Sequence, residues 1–390
     1  MCEKRLLLLT AALWCVGGMA VAATLQVGPA KPFQAPCAAI AVAAPGDIVE
    51  IDAGLYLGDV CAWNTDNLTI RGVNGLARLD AKNKNAQGKG IWVPYGRDTV
   101  IENIEFFGAK VPDKNGAGIR ASGVNLTVRN CYFHDNEEGI LESNIDGSNI
   151  LIEYTEFDHN GYRDGQSHNV YIGHVASLIF RYNYSHNSVT GHLVKTRAAV
   201  NYILYNRITG ENGTGSYEID VPNGGTTYVI GNLIQQGPNT ENSTLLTYLE
   251  EGISPLNPGT DLYVVNNTFV NQRPAGGTFV YVRPAGPTPP VLVNNIFYGP
   301  GTVTNRSDSL ATTNFVGDPL FVDVNNFDYH LTPGSPAIDE GSSPGSANGY
   351  PLKPFDEYLD PACGEQRIPV GGIDIGAFEY GGAGNALSCR

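Results

Sequence analysis

The chain has 390 residues, with 39 acidic and 24 basic side chains and a net charge of −15. Such acidity keeps an exported protein soluble and argues against nucleic acid or an anionic membrane surface as a partner. Length alone allows two or three domains, but no Ser/Pro/Gly linker or change of charge divides the chain before about residue 340, so one domain is expected.

Glu3, Lys4 and Arg5 lead into an apolar run from Leu6 to Met19 and then the small residues Ala20 to Ala23. That order predicts a secretory leader over residues 1–23, too short for a membrane span, and a secreted, soluble mature chain. Residues 31–44, rich in Ala, are expected to form a short N-terminal cap helix. An exported chain sits where disulfides persist. Cys37–Cys61 is expected to fasten the cap and Cys363–Cys389 the tail. Cys131, inside the strand pattern Arg129-Asn130-Cys131-Tyr132-Phe133, is expected as a buried thiol.

From residue 100 a short pattern recurs: two or three β-prone residues, an Asn or Tyr, then apolar residues again. It reads Val100-Ile101-Glu102-Asn103-Ile104, Val128-Arg129-Asn130-Cys131-Tyr132 and, near the end, Val293-Asn294-Asn295-Ile296-Phe297. Stepping through 103, 130, 154, 182, 206, 232, 267 and 295 gives intervals of 27, 24, 28, 24, 26, 35 and 28 residues. A second strand-like run lies in each interval, such as His168 to Ile172, His192 to Arg197 and Ser216 to Asp220. No interval holds a helical apolar period. Short strands joined by Gly, Asn and Asp turns describe the rung of an all-β solenoid, a right-handed parallel β-helix over residues 24–315. A propeller needs longer blades with hairpins, a sandwich lacks the stacked repeat, and a leucine-rich repeat needs Leu at most core positions. The interval of 35 marks an insertion, Glu250 to Thr260, which must leave the stack as a loop on one face. Residues 316–390 are irregular and Pro/Gly-rich, and are expected as a C-terminal tail packed on the helix.

The rungs, the entry segment Ala44-Pro45-Gly46-Asp47…Leu55-Tyr56 and three tail segments carry a resemblance. The tail segments are Gly317-Asp318-Pro319-Leu320-Phe321, Gly334-Ser335-Pro336-Ala337-Ile338-Asp339 and Asp374-Ile375-Gly376-Ala377-Phe378-Glu379. Together they resemble secreted bacterial proteins of the pectate-lyase-like β-helix superfamily, most of all the group of chondroitinase B and the alginate lyases. The resemblance covers nearly all of the mature chain and identifies a scaffold that hosts lyases, hydrolases, uronate epimerases and adhesins. The lyase group implies a Lys base on an outward strand position with an Arg one rung later. Val194-Lys195-Thr196 is similar to the Lys segment. The next rung, Tyr217-Glu218-Ile219-Asp220, holds acids instead, and Arg197 stands in for the missing Arg.

Five of the seven histidines lie between residues 159 and 207, among Arg163, Arg181, Lys195, Arg197 and Arg207. Strict alternation puts Lys195 with Arg197, and Glu218 with Asp220, on shared faces of adjacent rungs roughly 4.8 Å apart. Read structurally, these pairs are a surface ion-pair ladder worth about 0–1 kcal/mol each. Read functionally, they form a groove for an acidic polysaccharide acted on by a monomeric enzyme. β-Elimination needs a neutralised uronate carboxylate, a base for the C5 proton and a donor to the leaving oxygen. Lys195 is then the base, Arg197 the neutraliser and His168 or Tyr171 the donor. Tyr171, His192, Arg163, Tyr217 and Glu250 are expected to bind substrate, although His192 shares the parity of Val194 and so is expected to point inward. Glu218 and Asp220 are the candidate ligands for Ca²⁺. They are also the candidate acid and base of an inverting hydrolase, at about 6.6 Å along a strand. A third class, a carbohydrate-binding adhesin, would use aromatic platforms such as Trp63, Trp92, Tyr95, Tyr162 and Tyr171.

Overall fold

A computed structural model describes residues 22–162, 165–284, 286–382, 384–387 and 389. The expected leader up to residue 21 and the candidate Arg163 lie outside these residues. The described chain winds into a right-handed parallel β-helix in which each full turn lays down three strands. Ten strands, from Cys61–Trp63 to Thr302–Thr304, stack as the first face. The second face runs from Thr24–Val27 to Leu310–Thr312, and the third from Ile104–Phe107 to Phe315–Val316. These last two faces are hydrogen-bonded as one 21-stranded sheet. The long strands Ile48–Leu57 and Thr69–Asp80 run through both, before the corner between them sharpens.

That corner explains the recurring Asn. Residues 103, 130, 154, 182, 205, 231, 266, 294 and 313 occupy it with φ between 49° and 67°, the left-handed region that Asn and Gly enter at least cost. Where the corner holds Tyr154, Tyr182 and Tyr205, the rings stack with centroids 5.1 and 5.6 Å apart. The next residue points inward. Asn183, Asn206, Asn232, Asn267, Asn295 and Asn314 form a ladder in which each Nδ2 donates to the Oδ1 of the next rung at 2.9–3.1 Å. The sequence period therefore joins two neighbouring columns, stepping from the corner at 182 to the ladder at 206. Thr155 extends the ladder column, its backbone N–H donating to Asn183.

Inside the coil, Phe106, Phe133 and Phe157 stack at 4.9 and 5.0 Å amid Ile and Val from all three faces. Cys131 is buried there, its thiol donating to the carbonyls of Ile101 and Arg129. The cap helix is shorter than expected and spans Pro36–Ile40. Pro36 suits the first helical turn but disfavours helix before it, and Phe33 instead pairs with Gln26 and Gly28. Disulfides join Cys37 to Cys61 and Cys363 to Cys389, with Cα atoms 5.8 and 5.5 Å apart.

After Phe315–Val316 the tail folds back along the second and third faces. The Tyr182 hydroxyl donates to Asp356 at 2.6 Å, Phe355 N donates to the Tyr205 hydroxyl, and Arg207 pairs with Asp360 at 3.1 Å. A fully buried pair, Arg367 with Glu379 at 3.0 Å, locks the tail internally. Among the described residues its apolar contacts fall on the second and third faces.

Candidate active site

Three strands of the first face build the site: Val170–Ile172, Val194–Thr196 and Ile219–Val221. Their registers align Tyr171 with Lys195, Lys195 with Asp220, and Asp220 with Thr247. The inward neighbours Val170, Val194 and Ile219 hold this row on the outer wall, because they are wholly buried in the core. Lys195 is only 9 % exposed. Its Nζ lies 3.2 Å from Asp220, 3.5 Å from Glu251 and 5.4 Å from the centre of the Tyr171 ring. Asp220 accepts a hydrogen bond from Thr247 at 2.8 Å and has His192 Nε2 at 3.4 Å.

Arg197 closes the same wall. Its Nε donates to the Tyr171 hydroxyl at 2.8 Å, its Nη1 to Asn223, and both its Nη atoms grip Glu251, at 2.7 and 3.0 Å. The Arg197 hydrogen bond holds the Glu251 carboxyl below its ordinary range. Glu251 belongs to the insertion expected from the interval of 35. Its backbone N–H donates to Pro222, and Asn257 of the same loop ties to the carbonyls of Arg197 and Gly224.

A second row lies two residues before the start of each of these strands. The rings of His168, His192 and Tyr217 stack with centroids 4.7 and 4.9 Å apart. His192 N–H donates to His168 Nδ1, and Tyr217 N–H donates to His192 Nδ1. Both imidazoles therefore carry their proton on Nε2. Burial, then neighbouring cations, push His168 well below its ordinary value. Burial outweighs Asp220 and brings His192 down to about 4, so it is neutral near pH 7. Burial, with the Glu250 hydrogen bond, raises the Tyr217 hydroxyl. The cavity above measures about 430 Å³, with His192, Lys195, Tyr217, Asp220, Glu250 and Glu251 in its lining.

The structure brings together Lys195, Arg197, Tyr171, His192, Tyr217, Asp220 and Glu250, and corrects several expectations. His192 points outward, not inward. His168 is sealed under the ring stack and does not line the cavity, so it is not placed to protonate a leaving group. Glu218 is inside the coil, in the row between the core residues Leu193 and Leu245. The chain bends there, so Glu218 and Ile219 both face in and strict alternation fails. Neither Glu218 oxygen has a hydrogen-bond partner among the described residues, and burial raises its pKa well above the ordinary value. With Glu218 inside and Asp220 outside, the two do not converge on one ion and do not fit a Ca²⁺ site, which needs six to eight oxygens around one centre. For the same reason they do not form a hydrolytic pair. Of the aromatic platforms, Trp63 and Trp92 are buried in the core.

Sequence reasoning missed Glu251, Asn223, Ser216, Glu241 and Asn242, the last three also lining the cavity. The doublet Glu250-Glu251 in the insertion was the available signal for the first of these. Asn223 and Asn242 sit in turns and carry no pattern of their own.

A family model described as "Right handed beta helix region" matches residues 53–234. No curated protein matches the chain. Among solved structures, pectate lyase Pel9A superposes with a TM-score of 0.62 at 15 % identity, over 93 % of this chain and 97 % of that one. The ORF18 protein of Geobacillus virus E2 gives 0.43 at 16 % identity, over 72 % and 56 %. The pectin methylesterase of Aspergillus niger gives 0.36 at 10 % identity, over 79 % and 89 %. At these identities the likeness is one of fold.

Proposed function

We propose that this protein is an exported polysaccharide lyase that cleaves a uronic-acid-containing glycan in the groove above Lys195. One observation carries the reading: Arg197 and Lys195 already hold a carboxylate, that of Glu251, between them at the groove. A substrate carboxylate that takes the place of Glu251 pairs with the Arg197 guanidinium, which neutralises its charge and acidifies its C5 proton. Lys195, as the neutral amine after its own proton has passed to solvent, takes that proton; the C4–C5 double bond forms as the C4–O bond breaks, and the Tyr217 hydroxyl or the neutral His192 Nε2–H gives its proton to the leaving oxygen. Asp220, Thr247 and Tyr171 orient Lys195 and Arg197. In this reading Glu251 yields its place when substrate enters, and the insertion shapes the glycan that fits. The fold likeness to pectate lyase Pel9A supports the scaffold and an acidic substrate class.

A second reading, hydrolysis, is favoured by the four carboxylates lining the cavity, Asp220, Glu241, Glu250 and Glu251. Ultraviolet absorbance separates the two. A lyase produces an unsaturated, absorbing uronide from polygalacturonate, alginate or chondroitin, with and without chelator, whereas a hydrolase yields reducing ends without absorbance. Reducing ends alone would replace the lyase reading with the hydrolytic one, and neither product from any acidic glycan would refute both.

A further inference from the structure

The acidic doublet of the insertion stands between two cavities. Glu251 lines both the one above Lys195 and a second of about 290 Å³, whose other walls are Leu249, Gly252, Ile253, Arg283 and Gly286. Arg283 lies just past the first-face strand Thr278–Val282 and is exposed. Neither carboxylate of the doublet serves it. The Glu250 carboxylate hydrogen-bonds Tyr217, and that of Glu251 is held by Arg197 and Lys195. Arg283 Nη1 donates to the Glu250 carbonyl at 3.0 Å, and among the described residues the guanidinium has no ion-pair partner. Arg71, Arg129, Arg181, Arg207 and Arg306 all have one. The backbone beneath Arg283 is braced. Its N–H donates to Tyr248, Gly286 N–H closes a turn on the Arg283 carbonyl, and Arg306 Nη1 donates to the Gly286 carbonyl at 3.0 Å. Asp308 fixes Arg306 in turn, at 2.7 Å. Ile253, 51 % exposed, sets apolar surface beside the charge.

We propose that Arg283 forms a second carboxylate subsite for the glycan in the groove, so that the sugar chain straddles the insertion with one uronate at Arg197 and another at Arg283. This rests on the groove taking an acidic glycan, and not on the elimination step. Arg197 grips the side chain of Glu251 and Arg283 the carbonyl of Glu250. The Cα atoms of those neighbours stand roughly 3.8 Å apart, so both guanidiniums are within reach of one short run of sugar units. When the Glu251 side chain yields to substrate, the wall shared by the two cavities opens and they join into one trough. The planar guanidinium of Arg283 then takes a carboxylate through parallel N–H donors, the geometry in which Arg binds acids best. The C–H face of the same ring covers Ile253. A neutral glycan gains nothing from this charge, and a single uronate does not span both cations.

Titration calorimetry on the mature chain tests this with hexamers of galacturonate, mannuronate and guluronate, in the cold, with absorbance checking that the glycan stays uncut. Arg283→Ala should weaken the best-bound hexamer about 10-fold, as loss of a charged hydrogen-bonding pair does. Tm should stay nearly unchanged, because the residue is exposed. Arg283→Lys should recover part of the affinity, since it restores the charge without the fork. Arg197→Ala reads the groove independently. A hexamer affinity that falls with Arg197→Ala but not with Arg283→Ala would overturn the subsite and leave the groove reading standing. Equal losses in Arg283→Ala and Arg283→Lys, or a loss matched by a fall in Tm, would overturn it too, by making the role of Arg283 structural. If no hexamer binds, or none responds to either arginine, the subsite and the acidic-glycan groove both fail.

Discussion

Lys195 illustrates how the setting of a side chain decides what its removal means. On an open surface, Lys195→Ala would leave stability nearly untouched. Here Lys195 faces an Asp220 that is almost wholly buried, and deleting one partner of a buried pair typically costs about 3–5 kcal/mol. Lys195→Ala is therefore expected to lower Tm, and in the lyase reading to cut turnover by about 10²–10⁴ as a lost base does. Lys195→Ala/Asp220→Ala should recover much of the stability and none of the turnover, measured by thermal denaturation beside the absorbance assay. Glu218 gives the converse case. Its folded pKa stands above the unfolded value, so its favourable contribution is complete below the ordinary Glu range near 4.3 and is lost as pH rises toward the folded pKa. Glu218→Gln removes that loss. It should raise Tm at pH 8 more than at pH 4, and equal shifts at both pH values would show that Glu218 ionises freely.

At the scale of elements, the Asn ladder does for the corner what core packing does for the strands. Asn232 Oδ1 accepts from the backbone and side chain of Asn206, while its Nδ2 reaches Ile203 and Asn267. Asn232→Leu strands those groups in the interior and should cost about 3–5 kcal/mol, read from urea midpoints, where Asn212→Leu in an exposed turn should cost little. The ladder also marks what the sequence made legible. Recurrent Asn and Val at intervals near 26 residues reflect a repeated local environment, so the solenoid and the insertion could be read directly. The column in which each Asn stands could not, because Asn serves both the left-handed corner and the buried ladder. Within the site, outward placement of Lys195 and Asp220 followed from alternation along straight strands. Glu218 and His192 lie just before a strand, where the chain bends and alternation stops predicting side. Glu251 came from a loop whose landing point only the assembled coil determines.

Across the whole molecule, charge is unevenly stored. On the third face His186 is raised to about 9: burial opposes its charge, but the neighbouring carboxylates of Glu156, Asp158 and Glu211 outweigh it. Glu211 is held at about 2, where burial is outweighed by His186 and Tyr184. The two give opposite slopes. The His186 contribution is complete below the unfolded value near 6.5 and vanishes as pH climbs through 9. That of Glu211 is complete above about 4.3 and vanishes as pH falls to 2. This pair alone is most stabilising near pH 5–6, and His186→Gln should flatten the alkaline limb of a Tm-against-pH curve while Asn212→Leu should not. Unequal endings add a further consequence. At the start, Pro36–Ile40 and the Cys37–Cys61 bridge close the first coil. At the finish, Leu310 and Val316 stand 60 % and 63 % exposed on the last strands. Each coil leans on its neighbours, and the tail fastens the corners at Tyr182, Tyr205 and Asn294 from outside, so the last strands, Leu310–Thr312 among them, are the loosest part of the coil. Amide protons should exchange in order, soonest at Leu310–Thr312 and progressively later toward Asn149–Glu153, so that the fold frays from its finish and regrows from its start.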